Sequence, residues 1–122
     1  MFTDSRFDIF GQDFWADEMS IAWGLEAEDV ARIAREHPAI QPKFGPWREV
    51  AHRWGINWIF VAFEEKINGV LLRPDSGWAL IYADPLYRIW IERKPENRPW
   101  IVRYEDLERT RQVRSEWERR KG

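Results

Sequence analysis

The stretch Ile56 to Phe63, INWIFVAF, is a continuous apolar run of aromatic and β-branched residues that leaves little room for anything but a strand. A run this short and unbroken predicts a strand buried on both faces, the pattern of a central strand in a helix-covered sheet. The elements around it supply that cover. Glu26 to Glu36 predicts a helix with acidic residues in its first turn, Arg32 and Arg35 near its end, and Val30, Ile33 and Ala34 as an apolar stripe. Trp47 to Trp54 predicts a short helix entered through Pro46 and closed by Gly55. Asp13 is a plausible N-cap for an earlier helix from Phe14 to Ala22, which Gly24 ends.

Beyond the apolar run, Glu64 to Leu72 reads as a short helix interrupted by Gly69, and Pro74-Asp75-Ser76-Gly77 as a turn. Trp78 to Ala83 and Tyr87 to Arg93 are two strands separated by only Asp84-Pro85-Leu86, which forces an antiparallel hairpin. The alternation in the second strand sets Tyr87, Ile89 and Ile91 on one face and Arg88, Trp90 and Glu92 on the other, so one face is expected to be wet. Trp100 to Arg103 adds a possible edge strand. The expected class is α/β: a small three-layer sandwich, its mixed sheet containing a parallel crossover and ending in an antiparallel hairpin. The expected organisation is one α/β domain over 1–103, followed by a charged helix over 104–122.

Composition narrows the function. Nine tryptophans in 122 residues are more than one core of this size accommodates, and each indole N–H needs a partner, so many should sit at a core margin or an interface. The formal net charge of −2 gives no global field for nucleic acid or anionic lipid. With no cysteine there is no disulfide framework, thiolate nucleophile or cysteine metal site. No apolar run approaches the ~20 residues of a membrane span. The chain reads as soluble, with no insertion into a membrane.

Chemistry-bearing residues are few. Asp4-Ser5-Arg6-Phe7-Asp8 is the densest polar cluster, placed where a strand's carboxyl end would present a ligand loop. Asp4 and Asp8 could hold a divalent cation, and Ser5 and Arg6 could grip a phosphate or carboxylate; an Asp4–Arg6 ion pair that fixes the loop is the competing reading. His37 and His52 lie in different helices without metal-ligand spacing, and Asp17-Glu18 and Glu64-Glu65 read as helix-face residues. No phosphate loop or nucleophile elbow is present, so no catalytic residue, metal site or cofactor is assigned. The terminal helix mixes Arg109, Arg111, Arg114, Arg119, Arg120 and Lys121 with nearly as many carboxylates, which argues against nucleic acid and for a solvated helix docked lightly through Trp117. Trp100, Trp117 and Arg114 are the candidate interaction surface.

In order and spacing, four segments resemble the soluble C-terminal domain of multi-spanning membrane glycosyltransferases that use polyprenyl-phosphate sugars, the mannosyltransferase and oligosaccharyltransferase-like group. They are FTDSRFDIFG at Phe2 to Gly11, WREVAHRWGINWIFV at Trp47 to Val61, VLLRPDSGWALIYAD at Val70 to Asp84 and YRIWIER at Tyr87 to Arg93. The similarity covers roughly the first three quarters of the chain; Leu25 to Gly45 and the terminal helix have no counterpart, and the first strand is cut short before Asp4. The resemblance implies a non-catalytic extracytoplasmic domain that assists acceptor binding or shapes a site whose reacting carboxylate lies elsewhere. Its partner would be an upstream membrane domain, with Asp4, Arg6 and Asp8 nearest to it. Two alternatives stand beside this reading: a stand-alone soluble protein-interaction module, cytoplasmic in that case, and a small metal-dependent hydrolase using Asp4 and Asp8.

Overall fold

A computed structural model describes residues 16–39 and 44–121, in two compact units, Met1–Ile56 and Asn57–Gly122. The described part of the first unit is helical: α1 over residues 16–22, α2 (Ala27–Glu36) and α3 (Trp47–Arg53). Gly24 and Gly55, both with positive φ, end α1 and α3, a conformation that glycine adopts without a Cβ clash. Glu26 and Asp29 form a reciprocal capping box at the start of α2. The interior is built on Ala16, Ile21, Leu25, Trp47 and Val50, while α2 buries no residue fully and leaves Ala34 of its expected stripe exposed. Asp17 is buried, accepting the Trp54 indole N–H at 2.8 Å and pairing with Arg53 at 3.6 Å. Asp17 and Glu18 are therefore interior residues of this unit and not solvated helix-face residues.

The second unit runs β1 (Trp58–Ala62), α4 (Ile67–Leu71), β2 (Trp78–Ala83), β3 (Tyr87–Glu92), a 3-10 turn (Pro95–Asn97), α5 (Arg98–Tyr104) and α6 (Leu107–Lys121). Its sheet has the order β1-β3-β2, with both pairings antiparallel. This corrects the expectation of a mixed sheet with a parallel crossover in an α/β sandwich. The helical connection α4 does carry the chain between two strands that point the same way, but β3 inserts between them, so every neighbouring pair is antiparallel. The apolar run consequently forms an edge strand and not a central one. Its burial alternates, with Ile59 and Val61 inside and Trp58 exposed.

The strand register separates two faces. Ile59, Val61, Arg88, Trp90, Leu80 and Ala83 share one face, and Trp58, Phe60, Tyr87, Ile89 and Tyr82 share the other. A slip in register between Leu80 and Tyr82 marks a bulge at Ile81. Of the two faces, one of which is expected to be wet, the one carrying Arg88 and Trp90 is buried: Trp90 is 1% exposed and Arg88 5%.

One side chain organises that face. Asn68 of α4, 1% exposed, donates its amide N–H groups to the carbonyls of Ala62, Phe63 and Glu65 at 2.9–3.2 Å. Its carbonyl accepts the Trp90 indole N–H at 2.9 Å. Gly69 follows directly, and the Trp117 indole lies where a Cβ would stand, 2.7 Å from its Nε1. The glycine that weakens α4 as a helix thus lets α6 approach it.

The segment from Trp100 to Arg103 lies within helix α5 and not in an edge strand. Pro99 sits in the first turn, where its fixed φ suits a helix, and the Asn97 side chain ties the entry to the Glu92 carbonyl at 2.9 Å. Trp100-Ile101-Val102 is helical despite its β-formers, entered through the first-turn proline, and the Trp100 ring lies 6.0 Å from that of Trp58.

Two outcomes test this packing. Asn68→Ala should lower the unfolding free energy by about 2–4 kcal/mol in urea melts, because it leaves the Trp90 indole N–H and clustered carbonyls without their partner. Gly69→Ala should cost about 1–3 kcal/mol. A double-mutant cycle with Trp117→Leu should recover part of that loss; full additivity would show that Gly69 and Trp117 are not coupled.

Candidate functional site

Two surfaces of the second unit carry chemistry. The first is the open face of the sheet. Trp58 projects from β1 beside Trp100 of α5 with the rings edge to face, and Trp100 stacks on Tyr104 at 6.1 Å and 16°. Further along the same face Phe60 stacks on Tyr87 at 5.1 Å. Trp58, Trp100, Tyr104, Tyr87 and Tyr82 are all 41–47% exposed. Helix α5 covers only part of this face, and the result is a run of aromatic rings open to solvent, with the Arg103 guanidinium 5.5 Å from the Tyr104 ring.

The second surface is a cleft of about 520 Å³ between the β2–β3 turn and α6, lined by Phe63, Asp84, Arg88, Arg109, Glu116, Arg119 and Arg120 among others. Arg88 enters from the buried face of β3. Its guanidinium donates to the carbonyls of Asp84 and Tyr87 and faces the Glu116 carboxylate at 3.7 Å. Burial lowers its pKa from the usual arginine value, with Glu116 opposing the shift, yet a guanidinium so far from neutrality stays charged. Arg109 donates to the Ala83 carbonyl at 2.6 Å, and Arg120 lies over the rings of Phe63 and Trp117 at 4.5 and 5.6 Å.

Helix α6 holds these groups in place. Asp106 caps it, accepting the backbone N–H groups of Glu108 and Arg109. Arg109, Val113, Glu116 and Arg120 then recur at i, i+4, i+7 and i+11, a stripe that faces the sheet although only Val113 in it is apolar. Besides the contact of Trp117, Arg109 and Glu116 of this stripe tie the helix to the Ala83 carbonyl and to Arg88.

At the turn, Asp84 accepts the Tyr82 hydroxyl and the backbone N–H groups of Leu86 and Tyr87. The Tyr82 hydrogen bond first, then those backbone donors, hold the Asp84 carboxyl below its ordinary pKa, and the same bond raises that of Tyr82. Glu65 is shifted upward, by burial and then by the Glu64 charge.

Asp4, Ser5, Arg6 and Asp8 lie outside the described residues. Of the other candidates, Trp100 stands in the middle of the aromatic surface. Trp117 is half-buried against Gly69, and Arg114 donates twice to the Leu72 carbonyl at 2.8 and 3.2 Å, capping the end of α4. Both therefore fasten α6. His37 and His52 are exposed, and among the described residues no group of three or more histidines and carboxylates is placed to hold a metal ion. No helix among these residues is long and apolar enough to cross a membrane. The sequence reading missed Arg88, whose burial could not be told from the strand alternation alone. Compared with known proteins, the chain matches no family model, no curated protein and no solved structure.

Because the folded-state pKa of Asp84 is depressed, its hydrogen bonds favour the folded hairpin above the unfolded-state pKa, near pH 4. That contribution is lost as pH falls through the lower folded value. In a side-chain carboxyl NMR titration, Tyr82→Phe should move the Asp84 midpoint upward; an unchanged midpoint would show that the hydroxyl does not set it.

Proposed function

We propose that this chain works as a binding module, recruiting a protein partner through the aromatic face formed by β1, β3 and α5. The observation that carries this reading is the Trp58–Trp100–Tyr104 cluster, three large rings packed on one another and each nearly half exposed. Stacked neighbours fix the rings in place, so little side-chain entropy remains to be lost when a partner covers them. Tryptophan and tyrosine, with arginine, are the residues that dominate binding energy at protein interfaces, and Arg103 borders the cluster here.

The same reading serves an extracytoplasmic domain of a glycosyltransferase-like membrane protein, where the partner would be the membrane portion of that protein. It also serves a free-standing module. Both use the chain for recognition. The chemistry of the second surface agrees with a binding role: its basic groups are guanidinium ions, which do not change protonation state near neutral pH, and Asp84 is held in its ionised form.

The Trp58→Ser/Trp100→Ser double variant tests this directly. Both side chains are well exposed, so circular dichroism should stay that of the parent while partner affinity falls by about tenfold or more, measured on complexes recovered by cross-linking from cells. If every complex formed by the parent is retained by the double variant at equal affinity, the aromatic face is not the recognition surface.

A further inference from the structure

We propose that the cleft between the β2–β3 turn and α6 binds a small ligand through a phosphoryl group, held by Arg88, Arg109, Arg119 and Arg120. The proposal is independent of the aromatic face and rests on how charge is distributed. The chain as a whole is slightly acidic, with 21 carboxylates to 19 lysines and arginines, yet four guanidinium groups converge on one cleft. Only Asp84 and Glu116 oppose them there, and Asp84 is already engaged by the Tyr82 hydroxyl and two backbone N–H groups. Arg119 and Arg120 have no carboxylate partner among the described residues. Gathering like charges in this way costs stability unless an anion joins them.

The details favour a phosphoryl oxyanion. Arg119 and Arg120 present paired N–H donors matched to two oxygens, and Arg88 and Arg109 add positive charge beside them although some of their donors already meet carbonyls. Together they suit a multiply charged phosphoryl oxyanion better than a carboxylate. Arg88 lines the cleft and is held by its bonds to the turn carbonyls, its side chain 6% exposed, so a ligand need not order it. Arg120 lies over the faces of Phe63 and Trp117, which keeps a surface arginine near the cleft. The cleft leaves about 520 Å³ of open space beside these groups.

Glu116 supplies the discriminating feature. It meets Arg88 at 3.7 Å, too long for a close hydrogen bond, and its side chain is half exposed. This carboxylate stands where an anionic ligand would pair with Arg88, as a resident competitor that a phosphoryl group displaces. Neutralising it should therefore strengthen ligand binding, whereas a Glu116 that only braces Arg88 would, when neutralised, weaken the fold and alter no binding.

Isothermal titration calorimetry of the full chain with inorganic phosphate, pyrophosphate and sulfate, at low salt, tests this. Saturable binding is expected for pyrophosphate and, more weakly, for phosphate. Arg119→Gln and Arg120→Gln are surface changes that should leave circular dichroism intact and each weaken pyrophosphate binding by about tenfold. Glu116→Gln should tighten it several-fold. The Arg88 guanidinium N–H resonances should shift on saturation, a readout that does not depend on any variant folding. The proposal is overturned if neither the parent nor Glu116→Gln binds pyrophosphate saturably. It is equally overturned if the Arg119→Gln/Arg120→Gln double variant binds as well as the parent, if sulfate binds as tightly as pyrophosphate, or if a single-stranded oligonucleotide binds more tightly with affinity that grows with its length.

Discussion

The hydrogen bond between the Trp90 indole and the Asn68 side chain is the constraint on which the second unit depends. Asn68 bridges three elements: its amide gathers the carbonyls that leave β1, its backbone belongs to α4, and its carbonyl meets the central strand. A leucine in its place would fill the space but leave the buried Trp90 indole N–H and the Phe63 carbonyl without this partner, while the Ala62 and Glu65 carbonyls keep their backbone donors, so hydrophobic burial alone does not define this fold. Because Trp90 lies directly opposite Ile59 and Leu80 in the two ladders, fixing its ring also fixes the register of both outer strands. The bond sits within an antiparallel sheet in which β3 lies between the two strands that α4 connects.

The two faces of the sheet are then closed by different means. Helix α6 seals the Asn68 face with few apolar side chains: Val113 and half-buried Trp117 touch it, while Arg109 and Arg114 reach the carbonyls of Ala83 and Leu72. Charged side chains act here as directional fasteners. Their stems cover apolar surface and their heads satisfy backbone acceptors that would otherwise be stranded at strand and helix ends. The opposite face receives only α5 and keeps its aromatic rings in water. A sheet sealed on one side by arginines and left open on the other by tryptophans gives one small unit two chemically distinct surfaces.

Local signals in the sequence were sufficient for several elements. Asp84-Pro85-Leu86 is too short for anything but a hairpin, Pro46 and Gly55 bracket α3, and the acidic start of α2 carries its own capping box. What sequence reading mistook were effects of tertiary placement. The apolar run of β1 looks central because both of its faces are apolar, but its outward residues Trp58 and Phe60 belong to the aromatic surface and not to a second core. Alternation in β3 shows that one face is wet without showing which, since Arg88 is a charge kept inside by carbonyls and Glu116. Trp100 was legible as a surface residue. The arginine cleft was not, because counting charges along α6 shows near-neutrality, whereas the helix turns particular arginines toward the sheet.

Asn68 is also followed by Gly69, and this pairing has a consequence for the chemical lifetime of the chain. An asparagine before glycine loses its amide readily when the glycine nitrogen can attack the side-chain carbonyl to form a cyclic imide. In the folded protein that nitrogen is committed to the Lys66 carbonyl at 3.1 Å, and the Asn68 carbonyl is held by Trp90. Unfolding releases both. A chain that lingers unfolded would convert its central amide to an aspartate or isoaspartate, which cannot donate to the carbonyls of Ala62, Phe63 and Glu65. The native state thereby protects the bond that defines it, and time spent unfolded becomes an ageing reaction from which the chain does not return.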